Sequence, residues 1–593
     1  WGVGLRVENG RAVVDTVDGA GPLAGKDVRP GDVILKISHA DGAAAATEQT
    51  DGAAIRQALI DIPWNTQVSF ATEREGKAQE IFQRYPAWEH LSALHLAANR
   101  EWAYWTPRGY YAASANGDTL FGWLVNRGLD KLPRFFKAQQ FRRKLERPDV
   151  MSKLLEAGSL DAALKAQGRD LPASSAIVLP QQIAQAPEVR IISPRPGEQA
   201  QGNTITVTAE VEIPAGVEIE RVRAYASGAV ASGAPRVVEE RAAEGERPRV
   251  TVYAWDVGLP AEDQHLLQVF AGTKEGPTDA YQVTVQTALA PVPPRGPRLY
   301  LLASGVDRYA HAEQFAEIGL TNLTCAVKDA SAVRDSLAER SLDLYTLAAD
   351  RLLADGEVTR DGWRSTAEQL VASVAGEVLP DDLLVVFLAG HGMVRADAGR
   401  SYAYLCHDAA FEPVAASGDQ DPVPVAAGTL SWQDFRSLAA LPCRKLAIVD
   451  TCHSGALGPG ARSATVREFQ ENMIVVLAAA ADDEPSQESD AWGHGAFTKV
   501  LLEALEGRAD RGRSRRAFPQ LVSPPPTGPL AASPGQPDGI VSLDEIIDYV
   551  TQQVPSLTRV GADEHTAQHP TVSPEDLVPF VRLPLTRGGS VNR

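Results

Sequence analysis

Two short segments hold residues able to do covalent chemistry. VVFLAGHGM places His391 just past an apolar run, and KLAIVDTCHSG places Cys452 just past another. A cysteine is nucleophilic only as its thiolate, and an imidazole within hydrogen-bond reach can take the thiol proton at neutral pH. The pair predicts attack of Cys452 sulfur on a carbonyl, with His391 returning the proton to the leaving group. Gly392 and Gly455 are expected to let the backbone bend sharply and a substrate approach closely. Other candidates are weaker. His453 adjoins the cysteine but is expected to point away. His494 lies in a second GHG (WGHGAFTKVLLEAL), ahead of a helix and behind no apolar strand, so a structural role is expected. Cys406 and Cys443 lack glycine-flanked turns and read as buried structural thiols. With Cys325 and Cys452 they make four cysteines without CxxC spacing, which argues against a disulfide framework or a structural zinc site. A reducing compartment, the cytoplasm, is the expectation.

Both candidates need elements that bring them together. LYLLAS, LLVVFLAG, KLAIVD and MIVVLAAA alternate with helical stretches near 324–340, 363–377, 431–440, 495–506 and 542–553. Continuous apolar strands between helices predict an α/β fold whose sheet is covered on both faces. In such a sheet functional groups gather beyond the carboxyl ends of the strands, so His391 and Cys452 are expected at one edge. The Arg- and Pro-rich segment 507–539 has almost no core-forming residues and is expected to be a disordered surface loop.

Upstream the pattern is modular. Residues 1–84 read as a small β-rich domain: GVGLRVENGRAVVDTV as a hairpin, Gly31-Asp32 turning into a strand, 51–60 as a helix and QVSFATE as a closing strand. This order resembles a PDZ domain, with Gly2-Val3-Gly4-Leu5 where that family has its carboxylate-binding loop. The resemblance implies a C-terminal peptide as partner. Residues 85–172 form an aromatic-rich connector, with helices expected near 135–147 and 148–166, broken at Arg147-Pro148-Asp149. A linker spans 173–185. Residues 186–288 are strand-like throughout and predict an immunoglobulin-like β-sandwich without an inter-sheet disulfide. The Pro-rich stretch 290–297 leads to the last domain, 298–583.

GHG and DTCHSG, in this order and each behind an apolar strand, resemble the caspase–metacaspase superfamily over 298–583. Asp450-Thr451-Cys452-His453-Ser454-Gly455 departs from the caspase pattern QAC-[RQG]-G toward the metacaspase form. The resemblance implies a cysteine endopeptidase working through a thioester acyl-enzyme. It implies an oxyanion hole from the backbone N–H groups of Gly392 and Cys452, and it requires no third triad member. It also implies cleavage after Arg or Lys, with Asp450 and Asp329 (in Cys325-Ala326-Val327-Lys328-Asp329, where Lys328 replaces the usual Asn) as the acidic pair that takes the cation. Asp307 is a rival for that pocket. Arg511, Arg513, Arg515 and Arg516 are then expected processing sites, cut by the chain itself or by an upstream activating protease, and 461–468 is a second such segment. QHPTVSP (568–574) marks the domain's C-terminal limit. No cofactor is implied; calcium activates some metacaspases, but no EF-hand-like ligand spacing occurs.

Composition bounds the rest. The 593 residues carry a net charge of −19, which argues against nucleic acid and suits cationic substrates. No run of about 18 apolar residues occurs, so no membrane span is expected. The first residue is Trp1, so the numbering is expected to begin inside a longer chain. Two competing readings remain: a catalytically silent scaffold whose PDZ-like and immunoglobulin-like modules bind protein partners, and a cysteine hydrolase directed to acidic substrates.

Overall fold

The computed structural model describes residues 2–18, 23, 26–39, 47–61, 66–85, 90–98, 101–114, 116–125, 134–141, 145–166, 187–243, 248–261, 264–273, 276–277, 281–287, 293–317, 320–394, 402–412, 425–453, 474–480, 484, 486–489, 491–511, 537–559, 567–573 and 583–588. The linker 173–185, segment 461–468, and Arg513, Arg515 and Arg516 lie outside these residues. The chain is a multidomain α/β protein with several β-sheets and divides into two compact units. One comprises Trp1–His95, Tyr104–Ala112 and Arg147–Leu179; the other comprises Leu96–Ala103, Ala113–Glu146 and Pro180–Arg593.

In the first unit an antiparallel sheet runs Val3–Glu8, Arg11–Val17, Val33–His39, Thr66–Arg74 and Lys77–Tyr85 in spatial order, with Thr47–Gln49 added on Val33–His39. The Asn9-Gly10 turn, both residues at positive φ, closes the first hairpin. The helix Gly52–Asp61 covers a core of Val14, Ile34, Ile37, Ile55 and Phe70. Thr66–Arg74 is not the closing strand: Lys77–Tyr85 pairs outside it. Arg74 also reaches the buried Asp32 carboxylate at 2.6 and 2.8 Å, which holds that carboxyl below its usual range despite burial.

The connector departs most from expectation. The stretch expected as a helix near 135–147 begins as strand Arg134–Lys137, paired with Gly122–Val125, and continues in a short 3₁₀ turn, Ala138–Phe141. RFFK presents aromatics to both faces of a hairpin, a period-two pattern. Pro148 does open a helical turn, Pro148–Met151, followed by Leu154–Ala157 and Leu160–Ala166. Residues 85–172 are shared between the two units and make no body of their own.

The second unit opens with two facing sheets. One orders Glu188–Ser193, Thr204–Ile213, Arg249–Gly258 and Arg236–Arg241; the other is built mainly on Tyr281–Thr287, Gln264–Thr273 and Arg221–Ala226. Inward residues such as Val207, Ala209, Trp255, Leu267 and Val269 form the core between them. The wholly exposed strand Arg236–Arg241 lacks that alternation.

The C-terminal sheet is mixed and mostly parallel. Its order is Thr346–Ala354, Arg298–Gly305, Leu383–Val394, Arg444–His453, Val475–Ala478 and Thr571–Ser573; the last strand is antiparallel, and Tyr402–Glu412 with Val425–Leu430 extends from the end of Leu383–Val394. Alternate residues of the central strands face opposite cores. Leu383, Val385 and Phe387 meet helices Ala326–Arg340, Ala496–Glu503 and Leu543–Thr558, while Leu384, Val386 and Leu388 meet Arg360–Ser373 and Trp432–Ala439. The edge strand Thr346–Ala354 carries no continuous apolar signal in the sequence, because its half-exposed residues break the run. The domain does not stop at 583: Pro584–Arg587 pairs with Ile540–Ser542, and Leu583 and Leu585 are buried. Asp382 ties the Pro-rich linker down, accepting from Arg295 at 2.7 and 2.6 Å, Arg298 N, Leu379 N and Tyr300 Oη. No helix among the described residues is long and apolar enough to cross a membrane.

Candidate active site

The strands Leu383–Val394 and Arg444–His453 run parallel and in register from Leu383↔Arg444 to Gly392↔His453, which puts His391 directly opposite Cys452. The two residues therefore meet at the carboxyl edge of the sheet. The side chain of Cys452 lies outside the described atoms; its backbone lies within them.

His391 is 4% exposed and tightly framed. Its ring stacks on Tyr309 at 5.1 Å between centroids, and Tyr309 stacks on Phe315 at 4.4 Å. Its Nε2 donates to the Thr321 carbonyl at 2.7 Å. A carbonyl only accepts, so this bond fixes the proton on Nε2 and leaves Nδ1 with a lone pair. Nδ1 is buried and has no hydrogen-bond partner among the described residues. Burial pulls the imidazole below its ordinary pKa, partly offset by the Thr321 carbonyl. The arrangement yields a neutral imidazole with its lone pair on Nδ1.

The bend beside His391 comes from Gly390 rather than Gly392. Gly390 has φ +147°, and a Cβ there would meet Tyr309 Oη at 3.1 Å and Tyr404 Oη at 3.3 Å. Both hydroxyls hold this stretch of strand: His391 N donates to Tyr309 Oη at 2.8 Å, and Tyr404 Oη donates to the Ala389 carbonyl at 2.8 Å. Gly392, also a paired strand residue, lies opposite Tyr404 on one side and His453 on the other and has no positive φ. Gly455 lies outside the described residues.

The two expected carboxylates do come together. Asp329 sits in the first turn of Ala326–Arg340 and Asp450 near the end of the Cys452 strand; they are 3% and 8% exposed. Asp329 Oδ1 lies 2.5 Å from His494 Nδ1 and its Oδ2 accepts from Gly495 N at 3.0 Å, while Asp450 Oδ2 accepts from Thr498 Oγ1 at 2.6 Å. Burial pushes Asp329 up to about 7, with the charges of Glu488 and Asp307 adding to it. Burial, then the charge of Asp329, pushes Asp450 up to about 7 as well. A Cβ on Gly495 would lie 3.2 Å from Asp329 Oδ2, 3.2 Å from Asp450 Oδ2 and 3.8 Å from the Gln487 carbonyl oxygen. All three nearest atoms are acceptors.

Asp307, the rival carboxylate, has a structural task. Its Oδ1 accepts from Ala326 N at 2.7 Å at the start of the Asp329 helix, although it still contributes charge to the pocket. Glu488 is a further carboxylate beside Asp329 and Asp307. It reaches Thr324 Oγ1 at 3.4 Å, and burial, then the charge of Asp307, raises its carboxyl. QHPTVSP supports this loop: Gln568 accepts from Gln487 N at 2.9 Å, and His569 bonds Glu484 through N and Nδ1, both at 2.6 Å. Thr321 and Tyr309 had no sequence signal, since one contributes a main-chain carbonyl and the other a ring brought in from a distant loop. Cys325, Cys406 and Cys443 are buried free thiols, and burial raises all three above the ordinary range. Arg511 is exposed, 5.9 Å over the Tyr549 ring.

No family model and no curated protein matches this chain. Among solved structures, tandem Ig repeats of Dlar align at 15% identity over 21% of this chain and 61% of that one, less than two thirds of its length, with a TM-score of 0.12. A GH5 xyloglucanase of Bacteroides ovatus in complex with a XXXG heptasaccharide aligns at 8% identity over 48% of this chain and 68% of that one, also with a TM-score of 0.12. Overlaps of this size do not amount to a shared fold, and the reading of the site rests on its own geometry.

Proposed function

We propose that region 298–588 is a caspase-like domain acting as a cysteine endopeptidase that cuts after Arg or Lys, with PDZ-like and immunoglobulin-like modules ahead of it. The observation that carries this reading is the in-register pairing of His391 with Cys452 at the carboxyl edge of a parallel sheet. In the proposed reaction His391 Nδ1 takes the Cys452 proton and the thiolate attacks the scissile carbonyl. The resulting oxyanion is held by backbone N–H groups, for which Cys452 and Gly392 are the candidates. Collapse breaks the C–N bond, and His391 returns the proton to the leaving amine. Water then hydrolyses the thioester, releasing the acid and the thiol. Asp329 and Asp450 give the pocket its preference: a buried carboxylate pair raised in pKa gains by meeting a guanidinium or ammonium group. Arg511 and the neighbouring arginines remain proposed processing sites.

The test is a peptide-library cleavage profile of the wild type against Cys452→Ala. Cleavage after Arg or Lys, lost in the variant, is expected. Cleavage after Asp, or activity surviving the substitution, would sink the proposal. One observation favours a binding role beside it: Val3–Glu8 is an edge strand, paired on one side only among the described residues, with Gly2 at φ +71° before it. A C-terminal peptide could add a strand there with its carboxylate at the Gly2 turn. The scaffold reading expects such peptides to bind and no peptide to be cut.

A further inference from the structure

Gly493 ends a turn and leads into the short strand His494–Gly495, which pairs with Glu488–Ser489 and is fastened to the helix that carries Asp329. Lys328 Nζ donates to the Gly493 carbonyl at 2.6 Å, and His494 Nδ1 and Gly495 N take one Asp329 oxygen each. Gly493 has φ +69°, so a left-handed residue sets the path of this turn.

We infer that His494 is a positioning residue for the cation pocket, fixing the Asp329 carboxylate so that Asp329 and Asp450 can share one guanidinium or ammonium group over the bare backbone of Gly495. The inference rests on the Arg/Lys reading above and names how that pocket is built. A carboxylate offers about four lone-pair sites, so one donor on each oxygen still leaves positions for a cation. The donors also remove the carboxylate's freedom to rotate, which a bidentate contact requires. The point above Gly495 is 3.2 Å from an oxygen of each aspartate, close to hydrogen-bonding distance for a nitrogen placed there. A methyl group at that point would occupy the seat. A neutral P1 side chain would leave the buried carboxylate pair without a counter-ion, which disfavours it. His494 itself is one-fifth exposed, so its ring forms part of the pocket's outer wall.

The test has two arms. In the first, binding of arginine amide to Cys452→Ala is measured by calorimetry, alone and combined with His494→Ala, His494→Asn or Gly495→Ala. In the second, KM and kcat for an Arg peptide amide are measured on the same substitutions with Cys452 intact. His494→Ala is expected to weaken arginine amide and raise KM by about tenfold, the worth of a hydrogen bond to a charged group, with kcat unchanged. His494→Asn, which keeps a neutral donor where Nδ1 stands, is expected to restore most of both. Gly495→Ala is expected to abolish the binding. If His494→Ala does not fold, His494→Asn is compared with His494→Gln, whose donor falls where Nε2 stands, and only Asn is expected to keep affinity. An unchanged or lowered KM in His494→Ala, or no restoration by Asn, overturns the inference. His494-dependent binding without hydrolysis of any Arg peptide would remove the peptidase reading and leave this one standing; hydrolysis with a His494-independent KM would do the reverse.

Discussion

Gly390→Ala tests whether the bend before His391 organises the site. The φ of +147° is open to glycine and strained for any L side chain, at a cost of about 1–3 kcal/mol. The new methyl would also press on Tyr309 Oη, Tyr404 Oη and Tyr404 Cε2 at 3.1, 3.3 and 3.4 Å. Those contacts need shifts of a few tenths of an ångström in hydroxyls that hold His391 N and the Ala389 carbonyl, and overpacking of this kind costs about 1–3 kcal/mol. A loss of about 2–6 kcal/mol is therefore expected, a large share of a domain's stability. Urea titration followed by tryptophan fluorescence would read it. Because Tyr309 stacks on the His391 ring, kcat/KM for an Arg substrate should fall further than stability alone accounts for, by about 10–100-fold. A Gly390→Ala protein with the wild-type urea midpoint and wild-type rate would refute the reasoning.

Three further outcomes are expected. A thiol-reactive probe on the folded protein should label Cys452 alone, because the other three thiols are buried and shifted upward, with all four reacting after denaturation; peptide mapping by mass spectrometry checks this. Asp329 and Asp450 keep their protons up to about pH 7 in the folded chain but lose them near pH 4 when unfolded. In that window the pair binds more protons in the native state, so its contribution to stability should fall as pH rises from about 4 to 7 and level off above, as thermal midpoints of the wild type relative to the Asp329→Asn/Asp450→Asn variant in arginine-free buffer would show. Arginine amide should bind more tightly as pH rises through about 7, since the cation needs the ionised pair; binding that weakens over this range would contradict the pocket assignment. Asp382→Ala leaves Arg295, Tyr300 and two backbone N–H groups without their shared acceptor and should cost about 3–5 kcal/mol in urea titration.

The sequence carried the central strands and the two chemical residues plainly. A short apolar run such as LLVVFLAG between helical stretches reads as a strand buried on both faces, and a histidine or cysteine just past such a run is then placed at the sheet's carboxyl edge. The alternation in Thr204–Ile213 and Arg249–Gly258 marked the sandwich for the same reason. Elements with weak periodicity leave no such mark: the half-exposed edge strand Thr346–Ala354, the exposed Arg236–Arg241, and Arg134–Lys137, a strand where the sequence predicts helix. Their states are set by neighbouring strands rather than by their own residues.

Sequence alone determined which residue types are available and on which strands they stand, because burial on both faces imposes a pattern that side chains must obey. Tertiary structure decided the register that sets His391 opposite Cys452, the Thr321 carbonyl that selects the imidazole tautomer, and the turn that brings His494 and Gly495 onto Asp329 from 165 and 166 positions away. Those depend on main-chain atoms and long-range closure, and neither leaves a mark on residue type.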